Sequence, residues 1–125
     1  YPPPDLFGPE PEHGWCYLFQ KADLARQTGN WQAVAALGDE ARQRGFTPYD
    51  SPSNTPYEWL PFIEGYARSE RWGRAYEMTA ENAEHDPDYI PMICGLWQRL
   101  DQNTPASPDK TEAVHSAREL LHCDG

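Results

Sequence analysis

Apolar side chains recur at helical spacing on both sides of a turn in the middle of the chain, at residues 69–71. On each side they fall on one face of a helix, which is the pattern of a helix that buries a single stripe. The stripes consist of Trp59, Phe62, Ile63 and Tyr66 before the turn and of Trp72, Ala75, Tyr76, Thr79 and Ala83 after it. Residues 58–87 are therefore predicted to form an antiparallel helical hairpin.

Similar apolar stripes lie on both sides of this hairpin, in residues 15–46 and in residues 89–121. A single hairpin leaves part of its apolar surface uncovered, whereas stacked hairpins bury each other's faces. We therefore predict an all-α domain of about six helices over residues 15–122, built from hairpins at about 12–45, 56–86 and 89–122.

Capping residues mark the expected helix boundaries. Asn30 is a good N-cap for the second helix, and Gly45 supplies the left-handed residue that is common just past a helix end. Asp88 is expected to cap the fifth helix, and Ser107 precedes a proline that restarts the sixth. The outward side of this last helix is predicted to carry Lys110, Glu112, His115, Arg118 and Glu119.

The third helix has a strong start signal. Thr55, Pro56 and Glu58 together have the form of a capping box with proline at the first helical position. Pro61 lies deeper than a helix accommodates freely, because its ring clashes with the preceding turn. We therefore expect a bend or a loosened first turn there.

Two stretches are predicted to connect elements rather than to form helices. Residues 1–14 contain five prolines and two glycines, which disfavour helix and favour an extended linker. Residues 47–55 are rich in proline, serine and asparagine and are interpreted as a surface loop.

Composition and charge exclude several classes of protein. The chain has 125 residues, the length of one domain, and a formal net charge of −10. A field of that sign repels phosphate backbones and anionic lipid, so we expect no nucleic-acid partner. No run of 18 apolar residues occurs, so we expect no membrane insertion by these residues. Since the chain starts at Tyr1, it is interpreted as a processed or excised piece, and residues upstream could tether it to a membrane.

Candidate chemistry is sparse. Cys16 and Cys94 lie among core-facing positions and are interpreted as buried thiols, and Cys123 as part of a frayed tail, although one disulfide is left open. A catalytic pair of Cys16 or Cys94 with a histidine is also left open. The spacings of histidine and cysteine do not match a zinc site, and the known motifs of nucleophilic, phosphate-binding and metalloprotease sites do not occur. We therefore expect no catalytic residues, no metal and no cofactor.

The second hairpin resembles the tetratricopeptide repeat (TPR). Its Trp59, Phe62, Tyr66, Trp72, Ala75 and Pro87 fall where that family places a Trp, a Leu-like residue, a Tyr, an aromatic, an Ala and a closing Pro. Residues 15–48 also span the repeat length of about 34 residues. Two positions depart from the pattern: the large Ile63 replaces a small residue, and Gly38 replaces a bulky aromatic.

The TPR resemblance implies a short right-handed superhelix of stacked hairpins in which the first helix of each pair lines a concave face. A domain of that kind is a scaffold that binds a protein or peptide segment, or a neighbouring domain of its own chain. The residues that this geometry assigns to the concave face are Phe19, Asp23, Arg26, Gln27, Tyr57, Leu60, Glu64 and Arg68.

A second resemblance concerns a region rather than a fold. Residues 8–41, followed by residues 58–67, are similar to the hydrophilic C-terminal tail that follows the membrane spans of some bacterial glycosyltransferases of the family-39 or mannosyltransferase-like type. That resemblance implies an accessory C-terminal domain of a membrane enzyme, with glycan contact through exposed Trp or Tyr. It carries over no catalytic residue, because none of that family's catalytic positions falls in this sequence.

Overall fold

The structure is a computed structural model that describes residues 15–46 and 56–123. These residues form helices and no strand, which confirms the prediction of an all-α domain with six helices. The helices are α1 (Trp15–Gln27), α2 (Trp31–Arg44), α3 (Leu60–Arg68), α4 (Trp72–His85), α5 (Ile90–Asn103) and α6 (Pro108–Leu121). The predicted linker at 1–14, the loop at 47–55 and the cap at Thr55 lie outside the described residues. The TPR-like superhelix stays a prediction.

Helix ends follow local capping chemistry at three predicted points. The side chain of Asn30 accepts a hydrogen bond from the backbone N–H of Ala33, and Gly45 ends α2 in the left-handed region with φ 71°. The side chain of Ser107 accepts from the backbone N–H of Lys110 and so caps α6. These predictions are confirmed because each depends only on residues next to the helix end.

Proline controls the start of α3 and of α5. A 3₁₀ turn, Pro56–Trp59, precedes α3, so Pro61 lies in the first turn of the α-helix, where proline is tolerated, and not deeper in the helix as expected. A second 3₁₀ turn, Pro87–Tyr89, precedes α5. The prediction that Asp88 caps the fifth helix is wrong, because Asp88 lies inside that turn and the α-helix begins only at Ile90.

The helix α3 is the centre of the domain. It contacts α1 and α2 of the first hairpin, its own partner α4, and α5 of the third hairpin. Six of its nine residues are buried: Pro61, Phe62, Ile63, Gly65, Tyr66 and Ala67. The first helices of the three hairpins are therefore neighbours in the order α1, α3, α5, and α6 packs on both α4 and α5.

Two glycines allow α2 and α3 to approach closely. A Cβ atom at Gly65 would lie 2.7 Å from the Cβ of Val34, and one at Gly38 would lie 2.7 Å from the hydroxyl oxygen of Tyr66. Contacts that short do not occur between real side chains, so both positions are restricted to glycine. The departure from the TPR pattern at Gly38 thus has a physical reason: the ring of Tyr66 fills the space that a bulky side chain would need.

Aromatic side chains hold the second hairpin to the third. The rings of Trp72 and Trp97 lie with centroids 5.9 Å apart, and both residues are buried. The indole N–H of Trp97 donates a hydrogen bond of 2.9 Å to the hydroxyl of Thr79, so its polar atom is satisfied inside the core. The predicted burial of Trp59 and Trp72 is confirmed, since each is only 3% exposed.

Lys110 is buried, so the prediction that it lies on the outward side of the last helix is wrong. Its Nζ donates hydrogen bonds of 2.7 Å to the backbone carbonyls of Asp101 and Thr104 at the end of α5. The last carbonyls of a helix have no partner within the helix, and a lysine that reaches them satisfies them. The side chain therefore fixes the turn between α5 and α6.

A disulfide joins Cys94 of α5 to Cys123, 29 residues further along, with the Cα atoms 5.6 Å apart. The interpretations of Cys94 as a free thiol and of Cys123 as part of a frayed tail are therefore wrong, and Cys94 is not available as a nucleophile. His122 ends α6 in the left-handed region with φ 55°, and Cys123 follows directly on it. A cavity of about 600 Å³ lies between α5 and α6, beside this bond.

We expect reduction of the disulfide to lower the free energy of unfolding by about 3–4 kcal/mol, because the unfolded chain regains the freedom of a closed loop of this length. Urea unfolding with and without reductant measures the change. A Cys94→Ala/Cys123→Ala variant is the control and should not respond to reductant. Equal midpoints for the oxidised and reduced wild-type chain would contradict the expectation.

Candidate functional site

A groove crosses the first helices of all three hairpins and holds a cavity of about 220 Å³. Its walls combine apolar and charged side chains. They are Phe19, Asp23 and Arg26 from α1, Leu60, Pro61 and Glu64 from α3, and Leu96 and Arg99 from α5. We call these eight residues the groove. Because α3 lies between α1 and α5, its exposed face forms the middle of the groove.

The structure brings together five of the eight residues that the sequence assigned to a concave face: Phe19, Asp23, Arg26, Leu60 and Glu64. Gln27 and Arg68 do not line the cavity, but each is bonded to one of its carboxylates. The side chain of Tyr57 lies outside the described part of the chain.

Sequence reasoning missed three groove residues, Pro61 of α3 and Leu96 and Arg99 of α5. It took the exposed positions from the first helices of the first two hairpins only. The sequence did contain a signal for the residues of α5. The first helix of the third hairpin, Ile90–Asn103, is expected to line the concave face in the same way as the first helices of the other two hairpins.

Both carboxylates of the groove are paired with side chains of their own helix. Arg26 donates a hydrogen bond of 2.9 Å to Asp23, and Gln27 donates one of 3.1 Å to the other oxygen of the same carboxylate. Arg68 donates a hydrogen bond of 2.9 Å to Glu64. These pairs neutralise the two acids and hold their side chains in fixed positions.

A cation–π contact supports the second of these pairs. The guanidinium carbon of Arg68 lies 5.0 Å from the centre of the Trp31 ring. Because Trp31 begins α2, this contact also ties the exposed face of α3 to the first hairpin.

A cluster around Asp39 fixes the first hairpin to the second. Tyr66 donates a hydrogen bond of 2.9 Å to one carboxylate oxygen of Asp39, and Arg71 donates bonds of 2.7 and 3.1 Å to both oxygens. Asp39 lies in α2, Tyr66 in α3 and Arg71 just before α4. One carboxylate therefore sets the relative position of three helices.

Two effects on the pKa of Asp39 oppose each other. Partial burial is the largest single effect and raises the pKa, but the hydrogen bonds from Arg71 and Tyr66 and the nearby positive charge together outweigh it and hold the pKa below its usual 3.8. Burial, and then the hydrogen bond to Asp39, raise the pKa of Tyr66 above its usual value. Asp39 is therefore charged and Tyr66 neutral at neutral pH, the states that these bonds require.

In the parts of the chain that the structure describes, no three His, Cys, Asp or Glu side chains are grouped so as to hold a metal ion. None of the helices over these residues has the length and apolar character needed to cross a bilayer.

No protein-family model, curated protein or solved structure matches this chain. The two resemblances in the sequence therefore stay predictions. Function has to be argued from the groove and its neighbours alone.

The contribution of Asp39 to stability should depend on pH. Its folded pKa is lowered, so its stabilisation is fully present above the unfolded value, close to 3.8, and is lost as the pH falls through the folded value. We expect Asp39→Asn to lower the free energy of unfolding at neutral pH and to matter progressively less below that value. Urea unfolding of both proteins from about pH 7 to about pH 2 measures the difference.

Glu84→Gln, which removes an exposed carboxylate of α4, is the control and should leave the stability profile close to that of the wild type. A difference between wild type and Asp39→Asn that stays constant over this pH range would contradict the role given to the Asp39 charge.

Proposed function

We propose that this domain is a non-catalytic protein-interaction module that holds an extended peptide segment, or a segment of a neighbouring domain, along the groove. The observation that carries the proposal is the convergence of all three first helices on one cavity. Five of the residues that the sequence assigns to a concave face line this cavity, which supports the choice of surface.

The composition of the groove suits a peptide. Phe19 and Leu60 are half-buried and leave apolar surface for side chains of a ligand, while Arg26 and Arg99 supply charge beside them. Apolar contacts provide most of the affinity in such grooves, whereas charged groups fix the register and the partner.

The framework of the groove is also rigid, which favours binding. Its middle helix α3 is buried on the other side, and the Asp39 cluster and the contact of Arg68 with Trp31 of α2 fix its position. A surface that is ordered before binding loses less conformational freedom when it captures a ligand.

The test uses two matched charge reversals. Arg26 and Arg44 are 39% and 38% exposed, and each pairs with an acid of its own helix, but only Arg26 lies in the groove. Peptides are first selected on the immobilised full chain from a displayed random library. We expect Arg26→Glu to weaken their binding about tenfold or more, and Arg44→Glu to leave it unchanged.

Circular dichroism melts of both variants should stay close to that of the wild type, since each replacement removes one exposed ion pair. Failure to select any peptide, or equal binding by the two variants, would overturn the assignment of the groove.

The alternative is an accessory domain of a membrane glycosyltransferase that contacts glycan. One observation favours it: another cavity, of about 420 Å³ between α4 and α6, is lined by Tyr76, Asp109, Glu112 and Ser116, together with Gly73 and Ala113. An aromatic ring beside carboxylates and a hydroxyl offers stacking and hydrogen bonds to a sugar. Tyr76 is half-buried and is the aromatic side chain that lines this cavity, so this role would fall to it.

If the alternative holds, the chain should bind on a glycan array and Tyr76→Ala should remove that binding. Tyr89→Ala, which alters another half-buried tyrosine away from this cavity, is the control and should retain it. A silent array, or binding that survives in Tyr76→Ala, would count against direct sugar contact.

A further inference from the structure

The helices α3 and α5 share the same arrangement of residues. Each follows a 3₁₀ turn that begins with a proline, and each buries two large side chains one turn apart on the face opposite the solvent. The corresponding residues lie 31 positions apart: Pro56 and Pro87, Phe62 and Ile93, Tyr66 and Trp97. By the same offset Arg99 of α5 is the counterpart of Arg68 of α3.

The two arginines differ in their acidic partner. Arg68 pairs with Glu64, four residues earlier, at 2.9 Å. The residue four positions before Arg99 is Gly95. The Nη1 atom of Arg99 lies 3.6 Å from the place where a Cβ of residue 95 would be. The guanidinium of Arg99 therefore lies over residue 95. The corresponding position of α3, residue 64, carries a carboxylate, whereas residue 95 of α5 carries none.

Arg99 is the charged side chain of the groove that has no ion-pair partner among the described residues. It is exposed, and no carboxylate of the described residues forms an ion pair with it. The other charged side chains of the groove are engaged, since Asp23 pairs with Arg26, and Glu64 pairs with Arg68. What the groove offers to a ligand at this point is a cation beside apolar surface.

The overall charge limits the kind of anion that this cation attracts. A net charge of −10 repels a strongly acidic ligand at long range. A hydrogen-bonded pair of charges in contact is much stronger than the screened field of distant ones. One carboxylate next to apolar side chains therefore fits the groove better than a run of acidic residues.

We propose that the peptide bound in the groove carries one carboxylate that pairs with Arg99, in the place that Glu64 takes beside Arg68. The carboxylate is either an Asp or Glu side chain or the C-terminus of the peptide, and the apolar neighbours of that group pack on Phe19 and Leu60. This inference rests on the proposed function and names the chemistry of the partner.

A substitution at Gly95 tests the proposal by supplying the missing acid from the protein itself. Gly95→Glu places a carboxylate four residues before Arg99, the favourable order for such a pair in a helix. A side chain fits there, because a Cβ at this position meets only the end of the Arg99 side chain, at ordinary contact distance. Replacing a helical glycine also raises helix propensity, so the variant should fold.

The probes are short apolar peptides related to those selected on the full chain, each made in three forms: with a central Glu and an amidated C-terminus, with a central Gln and an amidated C-terminus, and with a central Gln and a free C-terminus. We expect the wild type to bind at least one carboxylate form about tenfold tighter than the fully neutral form. Gly95→Glu should lower binding of that form to the neutral level.

Two controls are used. The first tests whether the effect of Gly95→Glu comes from its size, and the second tests whether the same charge acts from another helix. Gly95→Gln has the size of the Glu variant without its charge and should keep the preference. Gly73→Glu makes the same change in charge on α4, where a Cβ meets no atom within 4 Å, and should keep it too. A preference for the internal Glu or for the free C-terminus alone supports the proposal and identifies the source of the carboxylate.

Equal binding of all three forms, with Arg26→Glu still abolishing it, would overturn the carboxylate inference and leave the peptide groove standing. A preference that survives in Gly95→Glu would likewise overturn the assignment to Arg99. If none of the peptides binds to the groove, the proposed function and this inference fall together.

Discussion

The structure depends on the burial of one short helix, α3, between four others. Six of its nine residues are removed from water, and two glycines bring α2 close enough to cover it. Because the helix is held on every other side, its remaining face can present Leu60 and Glu64 to solvent in a fixed arrangement. The same packing that makes the domain stable thus creates its candidate binding surface.

The charges of this surface are balanced within each helix rather than between helices. On α1 and α3 an acid is paired with an arginine of the same helix. On α5 a glycine stands where the acid would be, so Arg99 has no acidic partner on its own helix. If the groove binds a peptide as proposed, this missing acid makes it selective for a carboxylate. The apolar walls are less selective, because they accept many side chains of similar size.

Sequence reasoning succeeded where structure is local. Periodicity and caps such as Asn30 and Gly45 act within a few residues, so the helices and their ends were predictable. It failed where the outcome depends on which helices become neighbours. The burial of Lys110 requires the end of α5 to lie against α6, and the disulfide requires the same pair to be held together at the other end. Arg99 lines the groove because α5 packs on α3.

The bond between Cys94 and Cys123 closes across α5 and α6, so it can form only after both helices have been synthesised. A newly made chain in reducing surroundings would hold α6 by packing and by Lys110 alone. The stability that the disulfide adds is present only in oxidising surroundings, where thiols are converted to disulfides. Maturation of the third hairpin is thereby linked to the redox state of the compartment in which the protein resides.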